Sequence, residues 1–280
     1  MSHPDQRPLP SYVPGTMTAT GTALDDTLAV LGDLRPELVV LDIEVSDSED
    51  FDFMRMAAVG WASIRLVGTH AGVTARRDGP SRLALEDLAA FRAMLGSTVL
   101  YPCDANQAVR LTAALADLSG ISYLRASRGG TPVIYGADEE FPIGGSRMIR
   151  RAPEDQVTLV AAGVTVHEAL AAADLLADDG ISARVIDAYS IKPIDATTLH
   201  RAAADTGRII TVEDHCPDGG LGDAVLDALA DTPALVQKLA VREMPTSATT
   251  AQQLQLAGID MVSIAAAGVD LVKGQYSRRS

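Results

Sequence analysis

Short β-branched runs alternate with alanine- and leucine-rich segments at helical spacing along nearly the whole chain, and few folds accommodate that order. Strands that are apolar on both sides, each followed by an amphipathic segment, predict parallel sheets covered by crossover helices. A first block reads as the helix "LDDTLAVLGDL" with Leu24, Leu28 and Leu31 on one face, then the strand "ELVVLDIEV". The strand "SIRLVG", helix "LALEDLAAFRAML", strand "TVLYP", helix "NQAVRLTAALADL" and strand "ISYLRAS" follow. Proline, glycine and charge then thicken through "TPVIYGADEEFPIGGSRMIRRAPEDQ", which reads as an inter-domain connection.

The second block runs "VTLVAAG", "VHEALAAADLLADDG", "ARVIDAYSI", "TTLHRAAADTG", "RIITVED", "GDAVLDALAD" and "VQKLAVREM", and closes with two helical segments. Gly180 stands where a helix stop is expected. The fold class is therefore α/β in two domains, a parallel sheet in the first and a mixed one in the second, each flanked by helices. The expected division is a flexible tail over 1–18, a first domain over 19–150 and a second over 151–280.

With a formal charge of −14 and a pI near 4.7, a nucleic-acid backbone or an anionic membrane is an unfavourable partner. Cys103 and Cys216 stand far apart in a cysteine-poor chain, which suits a reducing compartment. The first residues, "MSHPDQRPLPSYVPG", lack the apolar core of a secretory signal, and no uninterrupted apolar run is long enough for a bilayer. A soluble, cytoplasmic protein is expected.

Open α/β sheets bind ligands at the C-terminal ends of their strands, where loops part and helix N-termini face the gap. "GTHAGVTARRDGP" leaves such an end with His70 and Asp78 near its two ends. His70 reads either as a group donating to a substrate oxygen or as a loop histidine capping a helix. Asp78, before Gly79 and Pro80, also fits ordinary turn chemistry. Arg125 and Arg128 end a strand at the same rim, as a phosphate grip or as a plain surface pair. "VEDHCPDGGLGD" lacks dinucleotide or Walker spacing. Its adjacent Glu213, Asp214 and His215 point to alternate sides as poor joint metal ligands, so turn and helix capping is the better reading. His167 and His200, both in helices, read as exposed or packed.

In order, "THAGVTARRDGPSRLALEDLAAFRAM", "YLRASRGGTPVIYG", "EDQVTLVAAGVTVHEALAAADLL", "IDAYSIKPID" and "TVEDHCPDGGLGDAV" resemble the C-terminal half of a transketolase, from about Ala19 onward. The resemblance implies a pyrimidine-binding domain of the thiamine diphosphate superfamily followed by a transketolase C-terminal domain. It implies that His70 hydrogen-bonds a sugar substrate, that Asp78 reads a substrate hydroxyl, and that Arg128 and Ser48 hold the sugar phosphate. Glu44 falls on an acidic position toward the cofactor. The family's Gly-Asp-Gly metal and diphosphate motif belongs to a domain not found in this sequence. A separately encoded N-terminal subunit holding Mg or Ca is thus the implied partner, with thiamine diphosphate between the two chains, in a hetero- or homo-oligomer.

Two departures stand out. After "LDIEVSDSED" the family continues through a segment containing Glu-Gln-Asn and a run of aromatics, whereas this chain passes directly to "FDFMRMAAVGWA", a truncation near 50/51. The glutamate that activates the cofactor and the rings that stack on its pyrimidine belong to that segment. Gly21 stands where the family usually has a second phosphate-binding arginine. These losses raise a second expectation, a non-catalytic relative that keeps the assembly surfaces and acts as a structural or regulatory partner.

Overall fold

The computed structural model describes residues 8–34, 63–73, 83–245 and 248–274. The strand predicted from "ELVVLDIEV" lies outside these residues. β1 (Met17–Ala19) leads into helix α1 (Thr20–Leu34), which buries Leu24 and Leu31 on the predicted face. β2 (Ile64–Gly68), α2 (Asp87–Ala93), β3 (Thr98–Leu100), α3 (Ala105–Ala116), β4 (Ile121–Arg125) and β5 (Gly130–Pro132) complete the first block. The second contains β6 (Arg147–Arg150), β7 (Val157–Ala161), α4 (Thr165–Asp178), β8 (Ala183–Asp187), β9 (Ser190–Lys192) and α5 (Ala196–Thr206). It ends with β10 (Arg208–Val212), α6 (Leu221–Ala228), β11 (Leu235–Leu239), α7 (Thr250–Leu256) and α8 (Met261–Lys273).

Two larger sheets form, ordered β2-β4-β3-β9 and β11-β10-β7-β8-β6. β2, β4 and β3 are parallel, as are β11, β10, β7 and β8; β9 and β6 join antiparallel. Every residue of β4, β7 and β8 is buried, as expected for strands covered on both faces. A small antiparallel pair, β1 with β5, ties the start of the first block to the loop after β4.

Local chemistry sets the helix ends. Asp104 caps α3 by accepting from the Gln107 amide, and Asp195 caps α5 by accepting from the Thr198 amide. α5 stops at Gly207, whose φ of +63° is the left-handed geometry glycine adopts without strain. Residues 250–273 are apolar enough for a membrane span by length and composition. They fold instead as helices of 7 and 13 residues, parted by a turn at Gly258, each short of the ~20 residues a span requires.

Two sequence expectations change in the structure. The helix expected over "LALEDLAAFRAML" starts only at Asp87, because distant donors take the preceding carbonyls. Gly72 N–H donates to Leu83 O, Arg125 to Ala84 O and Cys216 N–H to Leu85 O. The single strand expected over "ARVIDAYSI" divides: β8 stays in the second sheet, and β9 crosses to pair with β3 through Val99↔Lys192 and Leu100↔Ser190. The two blocks thus share a sheet as well as a core, in which Leu66 and Tyr123 pack in one cluster with Ile209 and Val225.

Leu159, fully buried in central β7, tests this core. Leu159→Ala should lower the unfolding free energy by about 2–5 kcal/mol in urea titrations. Leu95→Ala, at a side chain that is 97% exposed, should change it by no more than ~0.5 kcal/mol.

Candidate functional site

β2 and β4 are parallel neighbours in register, Gly68 opposite Arg125, so the segments after them leave the sheet at one rim. His70 and Arg128 both stand there, both exposed. The His70 backbone is left-handed, φ +66°, a conformation with a steric cost for a residue bearing a Cβ. Its Nδ1 shares a 3.1 Å hydrogen bond with Thr69 Oγ1. Beside Arg128, the Ser127 amide donates to Thr20 Oγ1 at 2.8 Å, and the Gly21 amide donates to Ser127 O at 3.3 Å. The N-terminus of the 15-residue α1 therefore abuts the Arg128 turn, bringing Gly21 to the rim as well. Asp78, Ser48 and Glu44 lie outside the described residues.

Arg125 is neither a phosphate ligand nor a surface residue. Its fully buried guanidinium donates to Asp87 Oδ2 at 2.9 Å and Asp214 Oδ1 at 2.7 Å, and lies 4.7 Å from the centre of the Tyr101 ring. Tyr101 donates its hydroxyl to Asp214 Oδ2 at 3.2 Å, and Tyr123 donates to Asp87 Oδ2 at 2.6 Å. Burial pushes the Asp214 carboxyl up to about 6 while Arg125 pulls it back, so the pair is ionised at neutral pH. The sequence signal was an arginine at the end of an otherwise apolar strand, but nothing local named its partners.

The glycine-rich turn after β10 is occupied by the protein's own carboxyl group. Glu213 accepts from the Leu221 and Gly222 amides at 2.6 and 3.0 Å, capping α6 as the capping reading expects. A Cβ at Gly220 would fall 2.0 Å from Glu213 Oε2, so glycine is required for this approach. His215 is buried and neutral, lowered to about 4 chiefly by desolvation, with Arg125 adding to the effect. Its Nδ1 hydrogen-bonds Cys216 O at 2.7 Å, and its Nε2 accepts from the Ala89 amide at 3.3 Å. His167 packs with Nε2 donating to Cys103 O at 2.9 Å.

A second polar cluster also joins the two blocks. Asp187 Oδ2, at the end of β8, accepts from Gln107 Nε2 at 2.7 Å, Tyr135 Oη at 2.9 Å and Cys103 Sγ at 3.5 Å. Burial pushes Asp187 up to about 7.

Thiamine diphosphate needs a cation site for its diphosphate and, for its pyrimidine, a free carboxylate with an aromatic wall. No three His, Cys, Asp or Glu side chains among the described residues are grouped to hold a metal ion. The ring pairs Phe91–Tyr123 and Tyr135–Phe141 are core contacts, and the buried Asp87, Asp187, Glu213 and Asp214 already accept from protein donors. The described residues do not by themselves fit the cofactor.

The parallel-rich sheets flanked by helices define an α/β module of the thiamine diphosphate-binding fold class. Residues 49–133 match the transketolase pyrimidine-binding domain, and residues 145–264 match the transketolase C-terminal domain. The chain belongs to the transketolase family and corresponds to its C-terminal half. It is 45% identical over 219 residues to transketolase of Homo sapiens, covering 78% of this chain and 35% of that protein. It is 46% identical over 211 residues to transketolase-like protein 1 of Bos taurus, covering 75% and 35%. The chain thus spans about a third of the length of these relatives. A split-gene transketolase solved as an inactive β4 tetramer superposes with TM-score 0.80 at 28% identity, over 92% of this chain and 99% of that one.

The raised carboxyls predict an unusual pH dependence. Asp187 and Glu213, both near 7 when folded and ~4 when unfolded, stabilise fully below ~4, and the contribution is lost as pH rises through ~7. His215 acts oppositely, its contribution being present above ~6.5 and lost as pH falls through about 4. Between pH 5 and 8, Asp187→Asn, which mimics the protonated acid, should show a shallower decline in urea midpoint than the unmodified chain.

Proposed function

We propose that this chain is the C-terminal subunit of a split transketolase-like enzyme, acting with a separately encoded N-terminal subunit in thiamine diphosphate-dependent transfer of a two-carbon ketol unit between sugar phosphates. The observation that carries this reading is the rim itself. His70 and Arg128 leave adjacent parallel strands on the same side, and the start of α1 docks against the Arg128 turn. An imidazole and a guanidinium at one sheet rim suit a polyol phosphate, in which hydroxyls and a dianionic end lie on one short molecule.

On this reading His70 hydrogen-bonds the hydroxyls of the ketose or aldose, and Asp78 reads a further hydroxyl. Arg128 and Ser48 take the phosphate, and Glu44 lies toward the cofactor. The cofactor's diphosphate and its Mg or Ca belong to the partner subunit. The likeness to a split-gene transketolase over nearly that whole chain supports the same organisation.

A second reading, a non-catalytic relative that acts as a structural or regulatory partner, is favoured by a different observation: the described buried acids and rings are engaged within the fold. One experiment separates the two. The chain is combined with the N-terminal subunit from the same genome, and transfer from a ketose phosphate to an aldose phosphate is followed with and without thiamine diphosphate and magnesium. Cofactor-dependent transfer is expected. His70→Ala should lower kcat/KM by roughly a hundredfold or more, and Arg128→Ala should raise KM for phosphorylated acceptors about tenfold. A stable stoichiometric complex without transfer would establish the second reading instead.

A further inference from the structure

His70 and Ala84 are the only described non-glycine residues with positive φ, +66° and +44°, and both strained positions are tied to the Arg125 ion cluster. Arg125 Nη2 donates to Ala84 O at 3.1 Å and to Asp214 O at 3.2 Å, while Nη1 holds Asp214 Oδ1. The other carboxylate oxygen of Asp214 faces Gly72, two residues beyond His70. A Cβ on Gly72 would lie 1.8 Å from Asp214 Oδ2 and 3.2 Å from Arg125 Nη2. Gly72, with φ +75°, therefore seats its bare Cα against the ion pair, and no other residue could approach so closely. The turn is anchored on either side: Ala71 N–H donates to Ala126 O at 3.4 Å, and Gly72 N–H to Leu83 O at 2.6 Å.

We propose that Asp214, a residue of the second domain, is a positioning residue for His70: held by Arg125 and Tyr101, its carboxylate seats the Gly72 backbone and so fixes the left-handed turn that presents the imidazole. The geometry is a short chain of direct contacts. Asp214 follows β10 in the second sheet, Arg125 ends β4 in the first, and the turn after β2 lies against both. Docking of the second domain thereby sets the backbone from which a first-domain side chain projects. A cluster that merely glued the domains together could sit anywhere along their interface. This one touches the segment bearing His70 and the strained residue whose neighbour, Leu83, receives the Gly72 amide. The functional meaning of the placement rests on the reading of His70 as substrate-facing; the placement itself does not.

The test measures the turn directly in the full chain. Amide hydrogen exchange is followed by NMR at Ala71 and Gly72, and at Thr211 in β10 of the second sheet, together with the His70 ring resonances. In Asp214→Asn, exchange at Ala71 and Gly72 should rise about tenfold more than at Thr211, and the His70 ring signals should shift. Tyr101→Phe, which deletes one hydrogen bond to Asp214 and keeps the ring, should move both observables the same way by a smaller amount. It also carries the test should Asp214→Asn fail to fold. Equal acceleration at all three amides, or unchanged exchange and ring signals at 70–72 in folded Tyr101→Phe, overturns the proposal. Titration of the unmodified chain, in complex with the N-terminal subunit, with a ketose phosphate separates the two readings. If His70 is unmoved by the sugar while the variants still loosen the turn, the substrate assignment fails and the positioning role stands.

Discussion

A fully buried arginine between two carboxylates from different parts of the chain is the constraint around which this molecule is arranged. Removing a guanidinium from water costs several kcal/mol, and only well-placed partners offset that cost. Arg125 receives Asp87 from α2, Asp214 from the loop after β10, two backbone carbonyls and the face of Tyr101. Each partner must be present for the others to be tolerable. The cluster therefore contributes less as raw stability than as a requirement that the two blocks meet in one geometry.

The apolar architecture reinforces that requirement. β9 leaves the second block to pair with β3, and residues of both blocks pack in common core clusters. Asp187 reaches from β8 to Gln107, Tyr135 and Cys103 in the first block, giving a second buried polar contact across the same junction. Relative domain motion is the default where interfaces are small and polar. Here a shared sheet and two desolvated polar clusters oppose it.

The rim built on this junction is compact in its chemistry. An exposed imidazole and an exposed guanidinium leave neighbouring strands, while the nearby buried acids are committed to holding the fold. The self-capped glycine turn at Glu213 leaves no vacant anion cradle on α6.

The sequence by itself determined the alternation of the longer strands and helices, the α/β class and the family, because periodicity, turn residues and contiguous motifs are local properties, but it missed the short strands β1, β5 and β6. It also placed His70 and Arg128 at strand ends and the capping role on the turn after β10. Tertiary structure alone decided which sheet "ARVIDAYSI" would join, why the helix before Asp87 starts late, and that Arg125 turns inward rather than toward a phosphate. Each of those outcomes depends on partners between about ten and a hundred and thirty residues away in the chain. A strand's alternation says which residues are apolar, but not which edge will accept its hydrogen bonds. An arginine's charge likewise says nothing of whether two distant carboxylates will make its burial tolerable.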